Sequence, residues 1–215
     1  MLKQDIAIYG AGGLGREFAL LFSQIDPLKE SWNFIGFFDD HIAAKTSVDD
    51  ARVLGNFQTA QEWKNPLALV LAIADPQIRF VLRGRFINPK LSFPTLIHPQ
   101  SNVGDMTRNQ FGKGVIITAG VILTTGITLG DFVIVNLATT IGHDVTVGAY
   151  SSVMPGCSIS GNVQIGEKSV VGTGARILQN ISIGAQSVIG AGAVVTKSFP
   201  VKSKLIGIPA TNRAR

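Results

Sequence analysis

Between Phe111 and Val195 an aliphatic or aromatic residue recurs at every sixth position without a break. The series is Phe111, Ile117, Leu123, Leu129, Val135, Ile141, Val147, Val153, Ile159, Ile165, Val171, Ile177, Ile183, Ile189 and Val195. The next position is glycine in eight of these fifteen hexads, and the fifth is small or β-branched, as at Val115, Val121, Val145, Ser151, Cys157 and Ala175. A hexapeptide period is the signature of a parallel β-helix. Neither the heptad of a coiled coil nor the two-residue period of an ordinary strand fits it. Three hexads close one triangular coil, so residues eighteen apart stack at about the 4.8 Å spacing of paired strands. The apolar first residues then point inward, and the following glycine serves a positive φ or a close approach of backbone.

The first ninety or so residues have another texture. Ile6–Tyr9 reads as a strand, followed by Gly10-Ala11-Gly12-Gly13-Leu14-Gly15 and a helical spacing over Arg16–Ile25. Asn33–Phe38 and Leu67–Ala74 read as further strands, Gln77–Phe86 as a helix, and Gly55–Lys64 as a short helix with Trp63 inward. Strands alternating with helices give a parallel sheet with crossovers. The fold class expected is therefore an α/β Rossmann-like N-terminal part, residues 1–96, followed by an all-β parallel β-helix, residues 97–215. The joint is Ser92–Pro99, whose two prolines limit backbone freedom. An irregular first coil follows it, and the period lapses at Phe199-Pro200 ahead of a basic tail, Lys202–Arg215.

Composition narrows the partners. Charged residues are only 15% of the chain, yet no run reaches the ~18 apolar residues of a membrane helix. No charged and apolar leader precedes the first strand, and the single cysteine, Cys157, cannot form an internal disulfide. A cytoplasmic chain is expected. The net charge of +5 points to anionic partners, and the scatter of Lys and Arg without aromatic interleaving favours phosphate-bearing small molecules over nucleic acid.

Several residues break the repeat or carry chemistry. His143, in Ile141-Gly142-His143-Asp144, is the one histidine within the hexads and sits at a turn. It reads either as a solvated turn residue or, with the Asp144 carboxylate holding one ring nitrogen, as a base near neutral pH. Asn136 stands where glycine is usual, seven residues earlier, so that two polar departures flank one corner. Gly161, eighteen residues after His143, stacks over it, and its N–H could hold an oxyanion. The glycine loop, in its strand–loop–helix setting, suits a phosphate at a helix N-terminus, with Asp39 and Asp40 closing the second strand where a ribose or base would lie. A mononucleotide fits the short domain better than a dinucleotide, whose second half is missing; a glycine turn that merely packs helix on sheet is the alternative. No cluster of metal-ligand spacing is present.

Together the hexads, Ile141-Gly142-His143-Asp144, Gly207-Ile208-Pro209-Ala210 and Tyr9-Gly10-Ala11-Gly12-Gly13-Leu14-Gly15-Arg16-Glu17 resemble one family. It is the sugar O-/N-acyltransferases related to sialic acid O-acetyltransferase, which include the acetyltransferases of bacterial nucleotide 4-amino sugars. The resemblance implies a left-handed coil, a homotrimer, and acetyl-CoA held in the groove between neighbouring prisms. It makes His143 the general base, Asp144 its orienting acid, and the Gly161 amide the partner of the thioester oxygen. It assigns Gly172, Thr173, Gly174, Ala175, Ile208 and Pro209 to acetyl-CoA, and Gly12, Gly13, Leu14, Asp39, Asp40 and Asn136 to the sugar substrate. Several 4-amino-sugar members carry a histidine where this chain has Leu14, so amine and hydroxyl acceptors both stay open. The reaction expected is direct acetyl transfer to a nucleotide-linked sugar. O-acetylation of a sialic acid or other free sugar is the first alternative; a non-catalytic solenoid that binds nucleotide sugars is the second. An NAD-dependent enzyme is disfavoured by the short N-terminal part.

Overall fold

The computed structural model describes residues 3–26 and 31–213, so the ends of the chain, including the last two residues of the basic tail, lie outside the described residues. The chain divides into two compact units: Met1–Ala74 with Ile78–Pro94, and Asp75–Gln77 with Thr95–Arg215.

In the first unit β1 (Gln4–Tyr9), α1 (Gly13–Ile25), β2 (Trp32–Phe38), β3 (Ser47–Val48), β4 (Ala51–Gly55), α2 (Phe57–Gln61), β5 (Leu67–Leu71), α3 (Pro76–Arg85, from Ile78 onward) and β6 (Leu91–Ser92) follow in order. The six-stranded sheet runs β3-β4-β2-β1-β5-β6, parallel except for the β3–β4 hairpin. β5 is buried at every position, as a central strand covered on both faces requires. The helical spacing of α1 puts Gly15, Phe18, Leu21 and Phe22 on the buried face. The chain builds outward from β1 through β2 and β4, then returns to the other side of β1 with β5. That reversal is a topological switch point, where ligands of such sheets bind beyond the carboxyl ends of the strands. The expected strands and helices are present within a few residues. The hairpin Ser47–Gly55 is an addition; its strands, two and five residues long, are too short for a periodic pattern to reveal them. Trp63 is half-buried, its ring edge-on to Phe38 with centroids 5.6 Å apart.

The second unit is the left-handed β-helix. Its two-residue strands stack into three parallel sheets, and the register is eighteen throughout the regular coils: Thr140↔Ser158, Ile141↔Ile159, Thr146↔Gln164, Ser152↔Val170. The inward residues form one continuous core, with Ile117, Val135, Val147, Val153, Val171, Ile177 and Val195 fully buried. Each such side chain contributes about 1.5–3 kcal/mol relative to exposure. The two ends depart in opposite senses. The first coil is two residues long in excess, pairing Ile97 with Ile117 and Asn102 with Ile122. The last is two residues short, pairing Ile183 with Phe199 and Val188 with Lys204, after which Lys204–Gly207 and Ala210–Asn212 close as an antiparallel hairpin.

The turns separate the two reasons for glycine. Positive φ falls at the fourth residue of every hexad from Gly114 to Gly192, whether glycine or not, including Phe132, Asp144, Tyr150, Asn162 and Asn180. The second-position glycines have no such φ. They are required because the next coil lies against them: a Cβ on Gly148 would stand 2.4 Å from Glu167 N, and one on Gly166 2.3 Å from Ala185 N. Close approach, rather than backbone conformation, explains the glycine column.

Candidate active site

His143 and Asp144 occupy one turn of the β-helix, between the strand Thr140–Ile141 and the strand Thr146–Val147. Asp144 takes the left-handed fourth position at φ 57°, a conformation aspartate tolerates better than most residues. From there its Oδ2 lies 2.9 Å from His143 Nδ1. This contact leaves Nε2 as the free ring nitrogen of the pair, with the carboxylate favouring the tautomer in which Nδ1 carries the proton. Both side chains are about two-thirds exposed in the single chain.

Glycines seat this pair on both sides. Gly161 does stack over His143, and closely: a Cβ there would fall 2.3 Å from Nε2 and 2.6 Å from Cε1, so the ring lies against a bare Cα. On the preceding coil a Cβ on Gly126 would meet Asp144 Oδ1 at 2.5 Å. The backbone is pinned to match, Asp144 N–H donating to Thr125 O (2.9 Å) and Asn162 N–H to His143 O (2.7 Å). Gly126 is absent from the residues singled out by sequence, although its place eighteen before Asp144 could have revealed it. One coil further on, Asn162 Nδ2 donates to Asn180 Oδ1 at 2.8 Å, continuing the same column of turns.

Asn136 does not share that corner. It lies on the turn before the Thr140–Ile141 strand, buried, where its Oδ1 accepts from Leu137 N–H at 2.8 Å and from the Thr118 hydroxyl at 3.4 Å. An amide is needed there to satisfy buried polar groups of its own column. Gly172-Thr173-Gly174-Ala175 stack on that column, eighteen residues on from Met154-Pro155-Gly156-Cys157. A Cβ on Gly156, Gly174 or Gly192 would meet nothing within 4 Å, so these turns present bare backbone to the outside. The strand Lys204–Gly207 continues the same sheet, and its hairpin tip carries Ile208 and Pro209 across a cis peptide bond, with Ile208 exposed. The residues assigned to base and to cofactor thus fall on two successive corners. Cys157 faces the core, where burial pushes its thiol up to about 11, so it fills space and is no nucleophile.

In the first unit the glycine loop leaves the end of β1 at the switch point. Gly10, at φ +105°, passes so close to the end of β5 that a Cβ would lie 2.9 Å from Ala72 O. Gly15 lets α1 settle on the loop, a Cβ there falling 1.9 Å from Gly10 O. Gly12 and Gly13, by contrast, are exposed, with nothing within 4 Å of either ideal Cβ. Gly12 is the N-cap of α1 and supplies no side-chain cap, so the first amides of the helix are without an intrahelical acceptor. Leu14 is half-buried on that first turn. The acidic pair closes β2 as expected, but its carboxylates turn toward the protein's own loops. Asp39 Oδ2 accepts from Ala11 N–H (2.8 Å), and Oδ1 accepts from His41 N–H (2.8 Å) and Ile42 N–H (3.1 Å). Asp40 accepts from the Tyr9 hydroxyl (2.6 Å) and Phe57 N–H (2.8 Å). Burial and the Asp40 carboxylate push the Tyr9 phenol well above its ordinary value, so it stays a donor. Arg79, almost wholly buried and unremarked by sequence, donates to Ile73 O and, at 3.2 Å, to Ala74 O, holding the segment after β5. Arg16, on the first turn of α1, pairs with Asp49 of the β3–β4 turn at 2.8 Å in the open. Among the described residues no group of three His, Cys, Asp or Glu is placed to hold a metal ion, and no helix is long and apolar enough to cross a membrane.

Known proteins resemble this chain in sequence and fold. Residues 5–82 match the family model described as the PglD N-terminal domain, and residues 162–197 match the bacterial transferase hexapeptide (six repeats). No curated protein matches the chain. Among solved structures, the acetyltransferase domain of PglB from Neisseria gonorrhoeae is 31% identical, covering 98% of this chain and 100% of that one, with a TM-score of 0.90. The same domain has been solved in complex with acetyl coenzyme A. PerB from Caulobacter crescentus, solved with CoA and GDP-perosamine, is 27% identical over 98% of this chain and 97% of its own, at a TM-score of 0.83. WeeI from Acinetobacter baumannii is 28% identical over 98% and 100%, at 0.88. Such similarity over nearly the full length of both chains, in both units, shows that this chain belongs to the hexapeptide-repeat sugar acyltransferase family.

Proposed function

We propose that this protein transfers an acetyl group from acetyl-CoA to the amine of a nucleotide-linked amino sugar. The observation that carries the reading is the His143–Asp144 pair, seated between Gly126 and Gly161 on a β-helix whose relatives were solved with acetyl-CoA and with CoA and GDP-perosamine. Asp144 holds Nδ1, so Nε2 takes the proton as the amine attacks the thioester carbonyl. The bond formed is N–C and the bond broken is C–S; CoA leaves as the thiol, carrying the proton. The Gly161 N–H, which makes no hydrogen bond among the described residues, is available to the developing oxyanion. No covalent enzyme intermediate is needed, and Cys157 is too buried to supply one. A single histidine substituted by asparagine in the perosamine N-acetyltransferase of Caulobacter crescentus, solved with CoA and GDP-perosamine, is in keeping with a histidine at the centre of this chemistry.

The nucleotide belongs to the first unit. Exposed Gly12 and Gly13, with Leu14 behind them, offer helix N-terminal amides to a pyrophosphate, while the pair Asp39 and Asp40 shapes the rim. Acetyl-CoA is assigned to the bare turns Gly172–Ala175 and to Ile208 and Pro209, on a different corner from His143. A base two-thirds exposed in one chain, and cofactor residues a corner away, are both accounted for when the groove is completed by a neighbouring copy in a homotrimer. A cytoplasmic location agrees with the nucleotide sugar and CoA substrates.

His143→Ala should reduce turnover by about 10²–10⁴-fold, the usual contribution of a general base, while acetyl-CoA binding persists. Near-wild-type turnover in that variant removes His143 from the mechanism. An O-acetyltransferase would instead release CoA with free sialic acids, and a binding solenoid would release none with any sugar.

A further inference from the structure

In sheets of this kind the acidic residue at the end of the second strand is expected to grip the ribose hydroxyls, and bidentate recognition takes both carboxylate oxygens. In this chain both are occupied. Asp39 Oδ2 accepts the Ala11 N–H at 2.8 Å, and Oδ1 accepts the N–H groups of His41 at 2.8 Å and Ile42 at 3.1 Å. A carboxylate offers about four lone-pair sites, so three amides leave room for a single further donor. Asp39 therefore ties the glycine loop after β1 to the turn after β2, across 28 residues of sequence.

This tie selects which amides face a ligand. Gly10 N–H is spent on Phe38 O at 2.8 Å and Ala11 N–H on Asp39, whereas Gly12 and Gly13 stand exposed at the opening of α1. Gly12 and Gly13 have no side chains to fix their conformation, so the loop needs an outside anchor to hold those amides in register. We propose that Asp39 is a positioning residue for the phosphate-binding loop and not a ligand of the ribose. The proposal rests on the nucleotide reading given above, but its central contact is internal to the free protein.

Two measurements test it. In the wild-type protein without ligand, hydrogen exchange resolved by residue should show Ala11 N–H protected and Gly12 and Gly13 N–H open. Asp39→Asn should expose Ala11, because a carboxamide has one acceptor oxygen for amides that approach from both sides. Binding is then compared by calorimetry using GDP and UDP, each against its 2′,3′-dideoxy analogue. Asp39→Asn should weaken the ribose and dideoxy forms by the same factor, about ten- to a hundredfold for one charge-assisted hydrogen bond. A loss confined to the ribose forms, or an Ala11 amide that exchanges freely in the wild type, would overturn the proposal. Failure of the wild type to bind any of the four nucleotides would overturn the nucleotide reading instead, and the exchange result would still decide whether Asp39 holds the loop.

Discussion

At the scale of single residues, two histidines illustrate how placement decides role. His143 protrudes from a turn beside a carboxylate and against a bare glycine Cα, with Nδ1 engaged by Asp144 and Nε2 left as the nitrogen proposed to take the proton. His98 is buried at the first coil, where its Nδ1 accepts from Gln100 N–H at 2.9 Å, and burial holds its pKa below the ordinary 6.5. Since the unfolded chain binds a proton at His98 more readily than the folded one, stability should rise with pH through this range and fall as pH drops below about 6.5. Thermal unfolding at pH 5.5 and 7.5 checks this. His98→Asn, whose side-chain oxygen can accept the same Gln100 amide, should flatten the difference; an unchanged slope assigns it to other groups. The candidacy of His143 could be read from its breaking a regular repeat. Gly126, against Asp144, was legible from its place eighteen residues earlier, whereas the burial of Asn136 in a separate polar column was not, because it depends on which side of a turn each atom faces.

Among the elements, the hexad is the unit that made the second half of the fold readable. A period of six with inward aliphatics specifies stacked triangular coils but not their hand, and the eighteen-residue register follows from three hexads per coil. The sequence could not separate the uses of glycine, because one residue type serves both left-handed turns and close approach. The geometry does separate them, and it makes Gly166 an informative position. An alanine methyl there would overlap the Ala185 amide of the next coil, so Gly166→Ala should destabilise the protein by about 1–3 kcal/mol through overpacking. A denaturant midpoint lowered at unchanged slope is the expected result. A variant as stable as wild type would mean that adjacent coils separate at little cost. In the first unit, periodicity located the buried strands and helices, whereas the β3–β4 hairpin and buried Arg79 depend on tertiary contacts that no local pattern encodes.

For the molecule as a whole, the candidate base and the candidate cofactor turns lie on different corners of one prism, and the dyad is open to solvent. Assembly into a homotrimer would supply the missing walls. Sedimentation equilibrium should give three copies of the 22.8 kDa chain, and dilution to monomer should abolish transfer; a monomer with full activity would confine the site to one chain. The two units divide the work in this account, the first selecting a nucleotide through its loop amides and the second carrying the proton transfer.

The most direct test is the release of CoA thiol from acetyl-CoA, followed in wild type and in His143→Ala, with nucleotide 4-amino sugars and free sialic acids as acceptors. Release is expected with a nucleotide amino sugar, yielding the N-acetyl product, and it should fall by about 10²–10⁴-fold in the variant while acetyl-CoA still binds. Undiminished release by His143→Ala, or no release by the wild type with any of these sugars, would contradict the assignment.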